Sequence, residues 1–275
     1  MKRTFDRLFG ADFLASVPLA PGVYRMLDAE GAVVYVGKAT SLRRRLAQYR
    51  LARRSDKHRK MRAIVKSAVR ITFEVHSSET EAAIAEARLI QQLRPRWNVA
   101  GAFSFLYPLV GFGRTTEGAL VLAYGTLPDA HPELAWHGAY RSRETVGDAF
   151  FALVRLLGRV GHRAPGRPRA KGVRVFRCEV RQLPAPLTDW DAFFRGQKKD
   201  ALRALVLALL DKAAARRDAV EVEEDLRTLA RFYRLEARKL RRACKTARDP
   251  RWPIPQADRD VLFLQARAAE RDATA

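Results

Sequence analysis

Between Pro21 and Val36 the chain reads as two short strands on either side of Asp28-Ala29-Glu30-Gly31, a turn-forming quartet. A two-stranded hairpin is barely stable alone and needs a third strand or a covering helix. The following residues provide both. Ser41 is placed to cap a helix whose apolar face is Leu42, Leu46 and Tyr49. Asp56 to Ser67 reads as a second, basic helix, and Ile71 to Val75 as a strand with Ile71, Phe73 and Val75 on one side. Ser77-Ser78 start another helix, which ends before Pro95.

The expected class is α+β. A small sheet with flanking helices fills residues 1–100. Residues 101–162 form a smaller mixed region, with strand-like segments around Phe103 to Phe112 and Leu120 to Tyr124 and an apolar helix from Thr145 to Leu157. Residues 163–175 read as a basic linker, and 176–275 as a mainly helical part. Its two longest candidate helices are Asp200 to Ala215 and Glu221 to Cys244. Pro250, Pro253 and Pro255 then precede a short last helix.

Charge narrows the partner. Lys and Arg number 52 against 30 Asp and Glu, a formal charge of +22. The excess is clustered: Lys38 to Arg70 holds one acidic residue, Asp56, and Arg231 to Arg251 holds two, Glu236 and Asp249. Arginine dominates, which suits bidentate phosphate contact. No stretch joins this charge to a strong apolar face, so nucleic acid is expected and a membrane is not. Hydrophobic content of 48% excludes disorder throughout, and 2 cysteines exclude a disulfide framework or a four-cysteine metal site. The longest apolar run, Ala204 to Leu210, is too short to span a bilayer, and no signal segment is read. A cytoplasmic, nucleoid-associated protein is expected.

Three features carry chemistry. If Leu27 faces Ala32 across the turn, Tyr24 faces Tyr35, with Cβ atoms about 5 Å apart on one sheet face. Gly22 and Gly37 flank the pair. Lys38 follows at once, and Arg45 sits at the edge of the Leu42/Leu46/Tyr49 face, able to lean over the sheet. In the helix before Pro95, Glu86 projects between Ala82, Ala83, Leu89, Ile90 and Leu93, in the middle of the apolar stripe. A carboxylate facing a core is paired, hydrogen-bonded or metal-bound. Two phenols, a lysine, an arginine and one carboxylate suit hydrolysis of a phosphodiester with one hard divalent cation, Mg²⁺ or Mn²⁺.

At these residues the sequence resembles the GIY-YIG nuclease family. The motifs stand as Pro21-Gly22-Val23-Tyr24, Val34-Tyr35-Val36-Gly37-Lys38-Ala39, the run Leu42 to Tyr49 with Arg45, Glu86 before Leu89-Ile90, and Arg94-Pro95-Arg96-Trp97-Asn98-Val99. Within the family they are most similar to the N-terminal part of UvrC, the incision subunit of nucleotide excision repair. The resemblance implies Glu86 as metal ligand, Tyr35 aided by Lys38 as general base, and Tyr24 against the phosphate and metal-bound water. It implies Arg45 as phosphate-stabilising arginine and Asn98 as a supporting residue. Trp97 stands where UvrC usually has another aromatic.

A fainter likeness continues through Phe105-Leu106-Tyr107-Pro108, Gly138 to Leu156 and Phe194-Arg195-Gly196. Leu202 to Ala214 and Glu221 to Arg227 resemble the segment that engages UvrB, with Glu223-Glu224-Asp225 replacing much of its apolar pattern. The cysteine cluster of UvrC is missing, so no Fe–S cluster is expected. The chain stops before the second nuclease of full UvrC, as in the short Cho-type homologues. These imply a nick on the 3′ side of a lesion in damaged double-stranded DNA, with UvrB, loaded by UvrA, as a partner.

Two rivals are kept. The nuclease fold could serve as a DNA-binding adaptor with little activity, or as a sequence-specific nuclease, although no base-reading module is evident. His58, His76, His131, His137 and His162 lack metal-ligand spacing. Cys178 and Cys244 read as single thiols, and Trp136, Trp190 and Trp252 as core or interface anchors.

Overall fold

The computed structural model describes residues 3–52, 55–98, 107–115, 118–162 and 175–273. They divide into two compact units, Met1–Phe105 with Asp260–Ala275, and Leu106–Arg259.

In the first unit two short helices, α1 (Thr4–Phe9) and α2 (Phe13–Ser16), precede an antiparallel sheet of β1 (Gly22–Leu27), β2 (Val33–Ala39) and β3 (Arg70–Val75), in the order β2-β1-β3. The central strand is apolar on both faces. Tyr24 and Met26 pack with Leu42, Leu46 and Tyr49 of α3 (Leu42–Arg50) and with Ile64 and Val65 of α4 (Arg59–Lys66). Phe5, Phe9 and Phe13 close that side as a ring cluster. Arg50 clamps Asp6 through two hydrogen bonds of 2.7 and 3.1 Å, tying α1 to α3. On the other face Val23 and Val36 pack against Ala82, Leu89 and Ile90 of α5 (Glu79–Leu93). The Ser78 hydroxyl caps α5 by accepting from the Glu81 amide, and the Glu81 carboxylate accepts from the Ser77 amide.

Two local expectations need correction. Tyr24 pairs with Gly37 rather than Tyr35, and Tyr35 pairs with Met26. The turn is one residue longer than read, closed by Asp28, whose amide donates to the Ala32 carbonyl at 3.0 Å while its carboxylate accepts from the Ala32 amide at 2.9 Å. An irregularity between Met26 and Leu27 shifts the register once more. The total slip is even, so both phenols stay on the same sheet face. Ser41, in turn, makes no side-chain cap, and its buried hydroxyl has no partner among the described residues. The first amides of α3, Leu42 and Arg43, donate instead to the carbonyls of Ala20 and Pro18.

The second unit holds an antiparallel sheet of β4 (Leu109–Arg114), β5 (Leu120–Gly125), β6 (Ala135–His137) and β7 (Val175–Val180), in the order β6-β4-β5-β7. The strand β7 lies at the start of the stretch read as helical, so regions 101–162 and 176–275 share this sheet. Phe103 to Leu106 and most of the basic linker lie outside the described residues. The helices are α6 (Arg143–Arg159), α7 (Leu187–Phe194), α8 (Asp200–Leu210), α9 (Ala213–Arg217), α10 (Ala219–Phe232) and α11 (Arg238–Ala247). A π turn, Tyr233–Ala237, joins α10 to α11. Asp225 is buried and takes Arg155 of α6 at 2.6 Å, so this acidic position binds two helices together. Glu236, also buried, accepts from the amides of Arg141 and Ser142 just ahead of α6. The last helix, α12 (Arg259–Asp272), groups with the first unit. Among the described residues no helix is long and apolar enough to cross a membrane.

His137 is buried in the second unit, stacked on Phe112 with centroids 4.9 Å apart, and its Nδ1 accepts from the Trp252 indole at 3.0 Å. Burial pushes its pKa down to about 4, against the pull of Asp191. The folded chain therefore keeps His137 neutral, and the unfolded chain takes up the proton first as pH falls. Stability tied to this residue is complete above pH ~6.5 and drops by roughly 3 kcal/mol on the way to pH ~4. Denaturant unfolding across that range should show the loss in the wild type, and His137→Phe should flatten it.

Candidate active site

β2 is an edge strand, and among the described residues its outer side faces no further strand. Backbone groups along such an edge need partners from elsewhere. Here they come from the end of the domain. The Val34 carbonyl accepts from the Trp97 amide at 3.1 Å. The Val36 amide donates to Asn98 Oδ1 and its carbonyl accepts from Asn98 Nδ2, both at 2.8 Å. The Lys38 amide donates to Glu86 Oε1 at 3.0 Å. Residues 34, 36 and 38 thus each hold one piece of the site against the strand. Trp97 is anchored in turn by its indole, which donates to the Ser67 hydroxyl at 2.9 Å.

The phenols gather on the face of the sheet that meets α3. Tyr24 is fully buried, and its ring centroid lies 6.1 Å from that of Tyr35 and 6.0 Å from that of Tyr49. The Tyr24 and Tyr49 hydroxyls share a hydrogen bond of 3.0 Å. Arg45 Nε donates to the Tyr24 hydroxyl at 3.3 Å, and its Nη1 to Gln48 at 2.8 Å. The Arg45 guanidinium lies 5.7 Å from the centre of the Tyr49 ring. Gly37 makes the arrangement feasible: a Cβ there would stand 2.5 Å from the Tyr24 hydroxyl. Burial, with the neighbouring phenols, pushes Tyr24 and Tyr49 well above the usual phenol range. Tyr35 is only half-buried.

The carboxylate side is built differently. Glu86 is half-buried on α5, and burial raises its pKa while the Lys38 amide and the charges of Lys38 and Arg45 pull it down. Lys38 Nζ pairs with Glu79 at 3.3 Å. Lys38 and Tyr35 differ by an odd number of residues along β2, so their side chains leave the sheet on opposite faces. The expectation that Lys38 assists Tyr35 therefore gives way to one in which Arg45 is the cation among the phenols.

One oxygen of Glu86 remains without a protein partner among the described residues. No group of three or more His, Cys, Asp or Glu that could hold a metal occurs among the described residues. A single carboxylate with a free oxygen fits Mg²⁺, which keeps several waters and takes the rest of its ligands from a phosphate.

The structure brings Tyr24, Tyr35 and Arg45 together, joins Glu86 to Lys38 through the backbone, and ties Asn98 to Val36. Two contributors were not foreseen. Tyr49 was read as core, yet its hydroxyl joins the phenol group; its spacing after Leu42 and Leu46 pointed inward without signalling the hydrogen bond. The last helix also reaches this unit's surface beside Lys38. Arg271 donates to the Thr80 hydroxyl at 3.2 Å, and a cleft of about 290 Å³ is lined by Lys38, Glu79, Thr80, Leu264, Arg267 and Arg271. Nothing in the local sequence marks a helix far along the chain as a neighbour of Lys38.

A three-stranded antiparallel sheet with paired phenols on one face and a carboxylate helix on the other defines a GIY-YIG domain, the fold of a nuclease family. Residues 20–99 match the UvrC-like GIY-YIG domain model. The chain is 39% identical over 132 residues to UvrABC system protein C of Serratia proteamaculans, a match covering 48% of this chain and 19% of that protein. It is 43% identical over 98 residues to the same protein of Legionella pneumophila, covering 36% and 16%. The match thus spans about a fifth or less of the length of these relatives. Among solved structures, the GIY-YIG N-terminal endonuclease domain of UvrC from Thermotoga maritima, bound to magnesium, is 33% identical, covering 36% of this chain and 99% of that one with a TM-score of 0.29.

Asn98→Ala should leave the Val36 amide and carbonyl unpaired on a fully buried residue. The expected cost is about 1–3 kcal/mol, read by denaturant unfolding. Asn98→Asp restores only the acceptor and should fall between the two.

Proposed function

We propose that this protein is a metal-dependent DNA endonuclease of nucleotide excision repair that hydrolyses one phosphodiester on the 3′ side of a lesion. The observation that carries this reading is Glu86: a half-buried carboxylate held by the Lys38 amide, with its other oxygen uncommitted. A divalent cation on that oxygen, when bound, would offset charge on the scissile phosphate and lower the pKa of a bound water. The UvrC domain of Thermotoga maritima holds magnesium as its catalytic cation, which supports the same ion here.

The chain's own residues then have separable tasks. Arg45, fixed by Tyr24 and Gln48, offers its guanidinium to the negative charge that grows on the phosphate. Tyr24 and Tyr49, too buried to ionise near neutrality, share a hydrogen bond with each other and hold Arg45 in place through the Tyr24 hydroxyl. Tyr35 is the more accessible phenol and takes the proton from that water, with Arg45 as the nearby cation. Lys38 attracts the neighbouring backbone phosphate. Asn98 positions the site by holding Val36 and touches no substrate. The basic surface holds the duplex backbone without reading its sequence.

Damaged double-stranded DNA is the substrate in this reading, and the UvrA-loaded UvrB complex is the partner that delivers it. Action on chromosomal DNA places the protein in the cytoplasm at the nucleoid.

An incision assay on an end-labelled duplex with one bulky lesion tests the reading. With Mg²⁺ or Mn²⁺, and UvrA and UvrB present, a single 3′-side nick is expected. Glu86→Ala should abolish it, and Tyr35→Phe and Arg45→Ala should each lower the rate by ~100-fold or more. Nicking retained in Glu86→Ala would remove the metal-ligand assignment. DNA binding without a nick under every condition would favour the adaptor role.

A further inference from the structure

A row of cations runs along the second unit, far from Glu86 in the sequence. Arg231, Arg234, Arg238, Arg241, Lys245 and Arg248 recur at alternating intervals of three and four residues. The structure places the first five on α10, the π turn and α11, one continuous helical run, and Arg248 at the left-handed cap that ends it. All but Arg241 are exposed, and Arg241 is half-exposed.

The loop between α7 and α8 lies along this row. Gly196 adopts φ +67°, and a Cβ there would meet the Ala237 carbonyl at 2.5 Å, so the loop packs directly onto the π turn. Arg241 donates to the Gly196 carbonyl at 3.4 Å. Lys199 Nζ, from the same loop, lies 5.3 Å from the Tyr233 ring centre. Two clefts result. One, of about 350 Å³, is lined by Lys199, Arg231, Arg234 and Arg238. The other, of about 300 Å³, is lined by Arg195, Arg241, Lys245, Arg248, Trp252 and the Arg251–Asp249 pair.

Some cations of the unit are paired, among them Arg155 with Asp225, Arg195 with Asp191, and Arg251 with Asp249 and Asp258. Arg231, Arg234, Arg238, Lys245 and Arg248 have no carboxylate partner among the described residues. Converging like charges cost energy unless an outside anion sits among them. A run from Arg231 to Arg248 is roughly 25 Å long at helical rise. Phosphates along one strand of a duplex recur every ~3.4 Å. The row therefore matches several successive phosphates, and a single small anion could fill only one cleft.

We propose that this face is a second DNA-binding site, which grips the phosphate backbone of the duplex independently of the nuclease centre. The inference takes from the proposed function only that DNA is the partner. Its contacts are to phosphates, so it is indifferent to sequence and sensitive to salt.

The test uses the full chain carrying Glu86→Ala, in EDTA, with a fluorescently labelled undamaged duplex read by anisotropy over a range of KCl. The comparison is the same chain with Arg234, Arg238, Lys245 and Arg248 all changed to Gln; these exposed positions leave the core intact, which a thermal melt checks. The expected result is binding at least ~100-fold weaker near physiological salt, with the slope of log K against log [KCl] shallower by about 3 to 4. Restoring Glu86 in the Gln variant should raise the duplex concentration needed for half-maximal nicking by at least ~100-fold, an effect on KM that a residue acting on the scissile phosphate alone would not give. Equal affinity and slope in the two proteins would overturn the proposal. So would binding to phosphatidylserine vesicles that exceeds binding to DNA and depends on the same four residues. If no protein nicks DNA but the Gln variant still loses binding, the proposed activity fails and this site stands.

Discussion

The open edge of β2 is the constraint on which the first unit is organised. A strand with an unpartnered side presents donors and acceptors that must be satisfied. This chain satisfies them with the Trp97 amide, the Asn98 carboxamide and the Glu86 carboxylate. The same bonds that close the edge bring α5 and the segment after Pro95 into place. Glu86 is consequently held by one oxygen while the other has no protein partner among the described residues, an arrangement that neither a solvent-facing nor a fully paired glutamate would give.

The alternation of β2 then divides the chemistry. Odd positions carry Tyr35 and Gly37 to the α3 side, where Tyr24, Tyr49 and Arg45 wait. Even positions carry Val36 and Lys38 to the α5 side, against Glu86 and Glu79. Phenols and a carboxylate are kept apart by the thickness of one strand. Each side keeps its own cation, Arg45 for the phenols and Lys38 for the carboxylates. In the second unit acidic residues play a different part, with Asp225 and Glu236 buried as ties between helices while the cations remain outside.

Short-range pattern exposed much of this. The period-2 hairpin, the Ser77-Ser78 start of α5 and the lone carboxylate within its apolar stripe were all legible, because each depends on residues within one or two turns of the chain. The pairing of Tyr24 with Gly37 was not, since a longer turn and a bulge are set by the Asp28 hydrogen bonds and not by hydrophobic alternation. Parity preserved the shared face although the partners changed. The strand β7 was missed because Val175 to Val180 follows a basic stretch and its partner β5 lies some fifty residues earlier. The grouping of α12 with the nuclease domain depends on a contact between Arg271 and Thr80 that no local window contains.

The close fit of Tyr24 over Gly37 bears on how such a domain would age. Enlarging Gly37 displaces the phenol, and losing Asn98 strips the partners from a buried strand residue. These positions guard the fold whether or not a phosphodiester is ever cut. Tyr35, Arg45 and the ammonium of Lys38 close no backbone hydrogen bond. A descendant released from selection for catalysis would shed those three first and would keep a motif that still reads as intact, so their joint retention in this chain is the more informative inheritance.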